Sequence, residues 1–108
     1  MVVLRPIPRR LLPDTMVVRV VRADGTFADG RLVRNVRFCR TQSVVDDVHR
    51  PVDGGAGKVY VDAVNSAGAF EVPAGSRVEI GGASLLVAAC KRCETVGGRV
   101  HHWELTVR

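Results

Sequence analysis

Short runs of alternating apolar and polar residues make up most of this chain. The run at residues 15–22 places Met16, Val18 and Val20 on one face and Thr15 and Arg19 on the other. Such period-2 alternation predicts a β-strand with one buried face. Comparable runs occupy residues 32–41, 58–64, 77–80, 83–94 and 100–107.

Turn sequences rich in glycine separate these runs, and Gly81-Gly82 is a two-residue hairpin signature. Strands at roughly ten-residue spacing predict an all-β fold, and we expect a small closed β-barrel of about six strands, spanning 1–108 as a single domain. Closure would leave no exposed strand edge. The side chains expected in its core are Val36, Phe38, Val61, Val78, Ile80, Trp103 and Leu105.

Two segments do not fit the strand pattern. Residues 1–14 contain Pro6, Pro8 and Pro13, which favour an extended arm over a helix. The arm is too apolar for a simple tail, and we expect it to lie along a surface, its own or a neighbour's. Its removal should impair docking to a partner more than folding.

The second segment, residues 42–57, is a long loop between two of the clearest strands. Loops of this length in small domains are usually functional or disordered. Its only modest helix candidate is the stretch 44–48.

The charge of +5 is distributed unevenly along the chain. Residues 1–40 carry nine arginines against three aspartates, whereas residues 41–75 carry two bases against five acids. This asymmetry indicates a basic surface for a partner and an acidic segment kept apart from it, or simply a solvated surface rich in arginine.

No apolar run approaches the ~18 residues of a membrane span, and the first residues do not form a signal peptide. We therefore expect a protein that stays in the cytoplasm where it is made, without a membrane partner. The three cysteines are then most simply thiols.

The sequence offers three candidate chemistries and favours none of them. Cys90, Cys93, His101 and His102 have zinc-ligand chemistry, but strand alternation directs them to opposite faces, so that at most one cysteine could approach one histidine. The sequence around Gly57 lacks the first glycine and the Ser or Thr of a phosphate-binding loop. Ser43, Asp46, Asp47 and His49 supply hydrolase residue types without a rigid frame. We expect no catalytic residue, no metal site and no cofactor.

Several segments, in their order and spacing, resemble one family over nearly the whole chain. They begin at Arg5-Pro-Ile-Pro-Arg-Arg-Leu-Leu, Asn35-Val-Arg-Phe and Tyr60-Val-Asp-Ala-Val-Asn-Ser, and continue with Phe70, the stretch 72–82 and His101-His102-Trp103-Glu104. Together they are similar to the minor capsid proteins of tailed bacteriophages, and to the head–tail stopper, or head-completion, proteins.

The resemblance implies a structural virion protein that forms a homo-oligomeric ring, of twelve copies to match the portal. Its partners would be portal and adaptor proteins above, tail proteins below and the packaged DNA passing through. The long loop would be the gate of the channel, formed by Asp46, Asp47, His49, Arg50, Asp53, Gly54, Gly55 and Gly57. The arm would dock the ring to its neighbours through Arg5, Ile7, Arg9, Arg10, Leu11 and Leu12.

The sequence is also compatible with other functions. The chain could be an adaptor or tail-completion component of the same connector, or a small barrel that binds nucleic acid directly. Trp103 could stack on a base, but a lone tryptophan on an apolar face is more often a core residue. Aromatic residues make up only 5% of the chain, which weakens the reading as a nucleic-acid-binding barrel.

Overall fold

Six strands account for most of the chain in the computed structural model, which describes residues 5–40 and 56–108. A short 3-10 helix, Arg9–Leu11, precedes them. The strands are β1 (Asp14–Arg19), β2 (Arg31–Arg40), β3 (Gly57–Asp62), β4 (Arg77–Ile80), β5 (Ala83–Glu94) and β6 (Val100–Val107). No helix in these two ranges has the length and apolar character to cross a membrane.

The strands close into an antiparallel barrel in the order β1-β2-β3-β6-β5-β4, with β4 paired back to β1. The predicted all-β closed barrel of six strands is therefore confirmed. Closure gives every strand two neighbours and leaves no free edge for pairing with another chain.

The barrel interior is filled mainly by valine. Val36, Val61, Val78, Ile80 and Leu105 are buried, as expected from the alternation. Phe38 and Trp103 are only partly buried and pack against this core. β-branched side chains suit such a small interior because they fit the pleated surface of a strand at little cost in rotamer entropy.

A β-bulge at Asn35 interrupts the alternation of β2. Asn35 has a φ of 57°, and the register with β1 shifts between Asp14 and Thr15. The extra residue lets Val33 and Val36 both face inward although they are three positions apart. Asparagine tolerates this left-handed backbone better than most residues.

The arm is not wholly extended. The prolines expected to prevent a helix lie before and after the 3-10 helix, where they do not interrupt it. Pro8 precedes the 3-10 helix with a φ of −59°, a value compatible with a helical start. Its carbonyl accepts the Leu11 N–H at 2.9 Å, and Pro13 follows the turn. This turn directs Leu12 into the protein, where it is fully buried.

Gly57, assigned from the sequence to the long loop and its gate, is the first residue of β3 and is buried. A Cβ atom there would collide with the carbonyl oxygen of Cys39 on the neighbouring strand. Close packing of β2 on β3, rather than hinge motion, therefore explains this glycine. The other predicted gate residues and the helix candidate at 44–48 lie outside the described residues.

Candidate functional site

A buried aspartate at the end of β3 fixes the arm to the barrel. Asp62 is fully buried, and its Oδ1 accepts the Ile7 N–H at 2.9 Å. Its Oδ2 accepts the N–H groups of Val64 and Asn65 at 2.9 and 2.7 Å. One carboxylate thus shapes the turn after β3 and holds the arm across it.

Two neighbouring side chains complete this arrangement. Ser66 donates its hydroxyl to the Asn35 carbonyl and accepts the Asp62 N–H at 2.8 Å. The Asn65 side-chain amide donates to the Ile7 carbonyl at 2.7 Å. We call Ile7, Asn35, Asp62, Asn65 and Ser66 the arm clasp. The clasp accounts for the positive φ of Asn35, because the bulge at this residue directs its carbonyl toward the Ser66 hydroxyl.

The predicted docking residues separate into two groups. Arg5, Arg9, Arg10 and Leu11 are exposed, with Leu11 at 41%. Ile7 is half-buried and belongs to the clasp, while Leu12 is 0% exposed. Leu12 is therefore a core residue and not a docking residue, a correction that follows from the 3-10 turn before it.

The arm clasp and the segment 41–55 attach at opposite ends of β3. Asp62 ends this strand, whereas Gly57 begins it and pairs with Arg40, the last residue of β2. At about 3.3 Å per residue, the strand separates the two attachments by roughly 17 Å.

The arginines of β2 do not form one continuous basic face. Arg31 lies over the Phe70 ring at 3.8 Å, and Arg40 lies over the Phe38 ring at 5.3 Å. Both cover partly buried aromatic rings at the ends of the strand. Arg34 and Arg37, in the middle of β2, are exposed and point outward.

The cysteines lie on opposite faces, as the alternation implied, but the rings of His101 and His102 meet, with their centroids 5.0 Å apart. Cys90 packs against the core, and burial raises the pKa of its thiol. Cys93 lies on the outer side, paired in register with His102. One cysteine therefore approaches one histidine, and the four residues do not come together.

Glu104, which the sequence analysis did not consider as a ligand, lies beside Cys93 and His102. Its Oε2 accepts a hydrogen bond from the Cys93 thiol at 3.3 Å and lies 3.3 Å from Nε2 of His102. Its Oε1 lies 3.6 Å from the Lys58 amine. Burial and then the hydrogen bond to Glu104 raise the pKa of Cys93, whereas the pKa of Glu104 is lowered, chiefly by the same bond.

The sequence alone indicates that His102 and Glu104 lie on the same outward face, because they are two residues apart on one strand. The approach of Cys93 to this pair depends on the register of β5 on β6, including the bulge between Cys93 and Glu94. The pattern of a single strand does not predict that register.

Comparisons of this chain with protein-family models, with curated proteins and with solved structures found no match.

Proposed function

We propose that this chain is a structural subunit of a tailed-phage virion, a stopper or head-completion ring of the head–tail connector. The observation that carries the proposal is the arm clasp. Segments that bear the resemblance, and that are far apart in sequence, are hydrogen-bonded to one another there: Ile7 to Asp62, and Ser66 to Asn35. The arm also contacts His101, whose Nε2 lies 2.7 Å from the Arg5 carbonyl. The resemblance thus concerns one connected unit.

The polarity of the barrel supports the proposal further. A connector ring needs one surface for its neighbours and another for the channel. Here the arm and the segment 41–55 attach at opposite ends of β3. The exposed Arg9, Arg10 and Leu11 give the arm the mixed basic and apolar surface that a docking contact requires.

The gating part of the proposal rests on sequence alone, because residues 41–55 lie outside the described residues. Asp46, Asp47 and Asp53 against Arg50 would repel phosphates. Each phosphate that a basic residue neutralises adds binding affinity. A channel lined with acidic residues would therefore bind DNA weakly and let it slide. Gly54 and Gly55 would allow two loop conformations.

The test is the mass of the assembly, measured by native mass spectrometry for the chain alone and with the portal complex of its own phage. We expect a defined ring on a portal complex that carries its adaptor. Failure to join the portal, together with tight, steeply salt-dependent binding of the monomer to DNA, would instead support the nucleic-acid-binding barrel. Binding of the ring to a portal without its adaptor would support the adaptor role, and binding to the tail tube alone would support the tail-completion role.

A further inference from the structure

The hydrogen-bond chain that begins at the Arg5 carbonyl determines how the two histidines carry their protons. A carbonyl oxygen only accepts, so Nε2 of His101, 2.7 Å away, is the protonated nitrogen. In the neutral ring Nδ1 of His101 is then an acceptor. It lies 2.8 Å from Nδ1 of His102, which must therefore donate to it.

This assignment leaves Nε2 of His102 with a free lone pair directed at a carboxylate. Nε2 lies 3.3 Å from Oε2 of Glu104, and that oxygen also only accepts when ionised. Two acceptors at this distance repel each other, and a cation bound between them, such as a metal ion, removes the repulsion.

The position of Cys93 favours the metal ion. One donor atom from each of Cys93, His102 and Glu104 lies within 4.8 Å of the others. The separations from Oε2 to Sγ and to Nε2 are both 3.3 Å. Bonds of about 2.0–2.3 Å to zinc give a tetrahedron with edges of roughly 3.3–3.7 Å, so the donors stand close to where zinc would need them.

We propose that Cys93, His102 and Glu104 form a binding site for a zinc-type divalent cation on the outer face of β5 and β6. The mixed sulfur, nitrogen and oxygen donors select Zn²⁺ over Mg²⁺ or Ca²⁺, which prefer oxygen ligands. Cys93 binds as the thiolate and releases its proton to solvent. Three protein donors leave one tetrahedral position for a further ligand.

The surroundings of the site orient its ligands. His101 accepts from Nδ1 of His102 and is itself fixed by the Arg5 carbonyl, so it is a positioning residue for the His102 ring. The Lys58 amine lies 3.6 Å from Oε1 of Glu104, while Oε2 is the oxygen that faces Cys93 and His102. The positive charges of Lys58 and Lys91 face the same carboxylate and reduce the affinity.

The experiment uses the full chain, stripped of metal and titrated with Co²⁺, then with competing Zn²⁺. We expect one equivalent of Co²⁺ with intense tetrahedral d–d bands and a sulfur-to-cobalt charge-transfer band, all displaced by Zn²⁺ and unaffected by Mg²⁺. Cys93→Ser should abolish the charge-transfer band, while Cys39→Ser should retain it. His101→Gln should weaken binding by about 10- to 100-fold with the band still present.

Two results would overturn the proposal. One is the absence of stoichiometric Co²⁺ or Zn²⁺ binding by a chain whose denaturation midpoint shows it to be folded. The other is a charge-transfer band that survives Cys93→Ser, since the sulfur ligand would then lie elsewhere.

Discussion

Asp62 is the residue on which most of the arm clasp depends. Its two carboxylate oxygens accept three backbone N–H groups in a fully buried setting. Asp62→Asn places an amide that donates where one oxygen accepted, so that at least one buried N–H loses its partner. The free energy of unfolding should fall by about 3 kcal/mol, at the upper end of the cost of such a loss. Denaturant unfolding measures it.

Glu94→Gln is the matched control for that substitution. Glu94 is exposed, and its only described ion pair is with Arg92 at 3.4 Å. The free energy of unfolding should change by less than about 0.5 kcal/mol. Equal midpoints for Asp62→Asn and the wild type would show that the carboxylate does not hold the arm.

Glu104 should control the reactivity of the Cys93 thiol in the metal-free protein. Burial raises the pKa of Cys93 first, and the hydrogen bond and negative charge of Glu104 raise it further. Both of the latter effects favour the protonated thiol, so Glu104→Gln should lower the pKa and increase the thiolate fraction at pH 7. Alkylation of Cys93 by iodoacetamide, followed by peptide mass mapping, should become faster.

The same measurement on Glu94→Gln provides the comparison, because Glu94 is not among the groups that shift the pKa of Cys93. An unchanged rate at Cys93 in Glu104→Gln would contradict the assigned hydrogen bond.

The arm combines a core residue and a surface residue in adjacent positions. Leu12 is fully buried, whereas Leu11 is 41% exposed. Leu12→Ala should cost about 2–5 kcal/mol of unfolding free energy through lost burial and the cavity left behind. Leu11→Ala should cost less than about 1 kcal/mol and act instead on docking. Thermal or denaturant unfolding of both variants gives the comparison.

This pair also tests an expectation drawn from the sequence, that loss of residues 1–12 would spare folding. Burial of Leu12 and the bond from Ile7 to Asp62 argue against that expectation. If Leu12→Ala and Leu11→Ala unfolded at the same midpoint, the arm would be the independent appendage that its prolines suggested.

Most of the barrel could be predicted because alternation is a local signal. The bounds of β4 and β6 agree with the predicted runs, and β5 extends through Glu94 as expected. β1 ends at Arg19 rather than at residue 22, since Val21 forms only an isolated bridge with Phe27. Turn geometry, which depends on residues from both strands, decides such ends.

Two of the features that the sequence did not reveal depend on contacts between residues far apart in the chain, and the third depends on a local turn. The role of Gly57 is set by the Cys39 carbonyl on β2, and the burial of Leu12 by a turn whose carbonyl partner is Pro8. Glu104 meets Cys93 only through the register of two strands. A pattern along one strand contains none of this information.

The whole molecule combines a rigid frame with two attachments of different chemistry. All six strands have two hydrogen-bonded neighbours, and among residues 5–40 and 56–108 no buried side-chain nitrogen or oxygen lacks a partner. Such a frame has little capacity to rearrange on binding, so contacts with other subunits would be made by exposed groups on the arm and on the outer faces. Basic charge on the arm then becomes the property to test.

Reversing the charge of Arg9 and Arg10 should prevent docking without unfolding the barrel. Both side chains are exposed and no described ion pair involves them, so Arg9→Glu with Arg10→Glu should leave the denaturation midpoint nearly unchanged. On an acidic partner surface, the reversed charges would lower the association rate and weaken binding. Arg22→Glu, at an exposed position outside the arm, is the control. Native mass spectrometry with the portal complex should show the double variant as free chain and the control as a bound ring. A bound ring for the double variant would exclude these arginines from the docking contact.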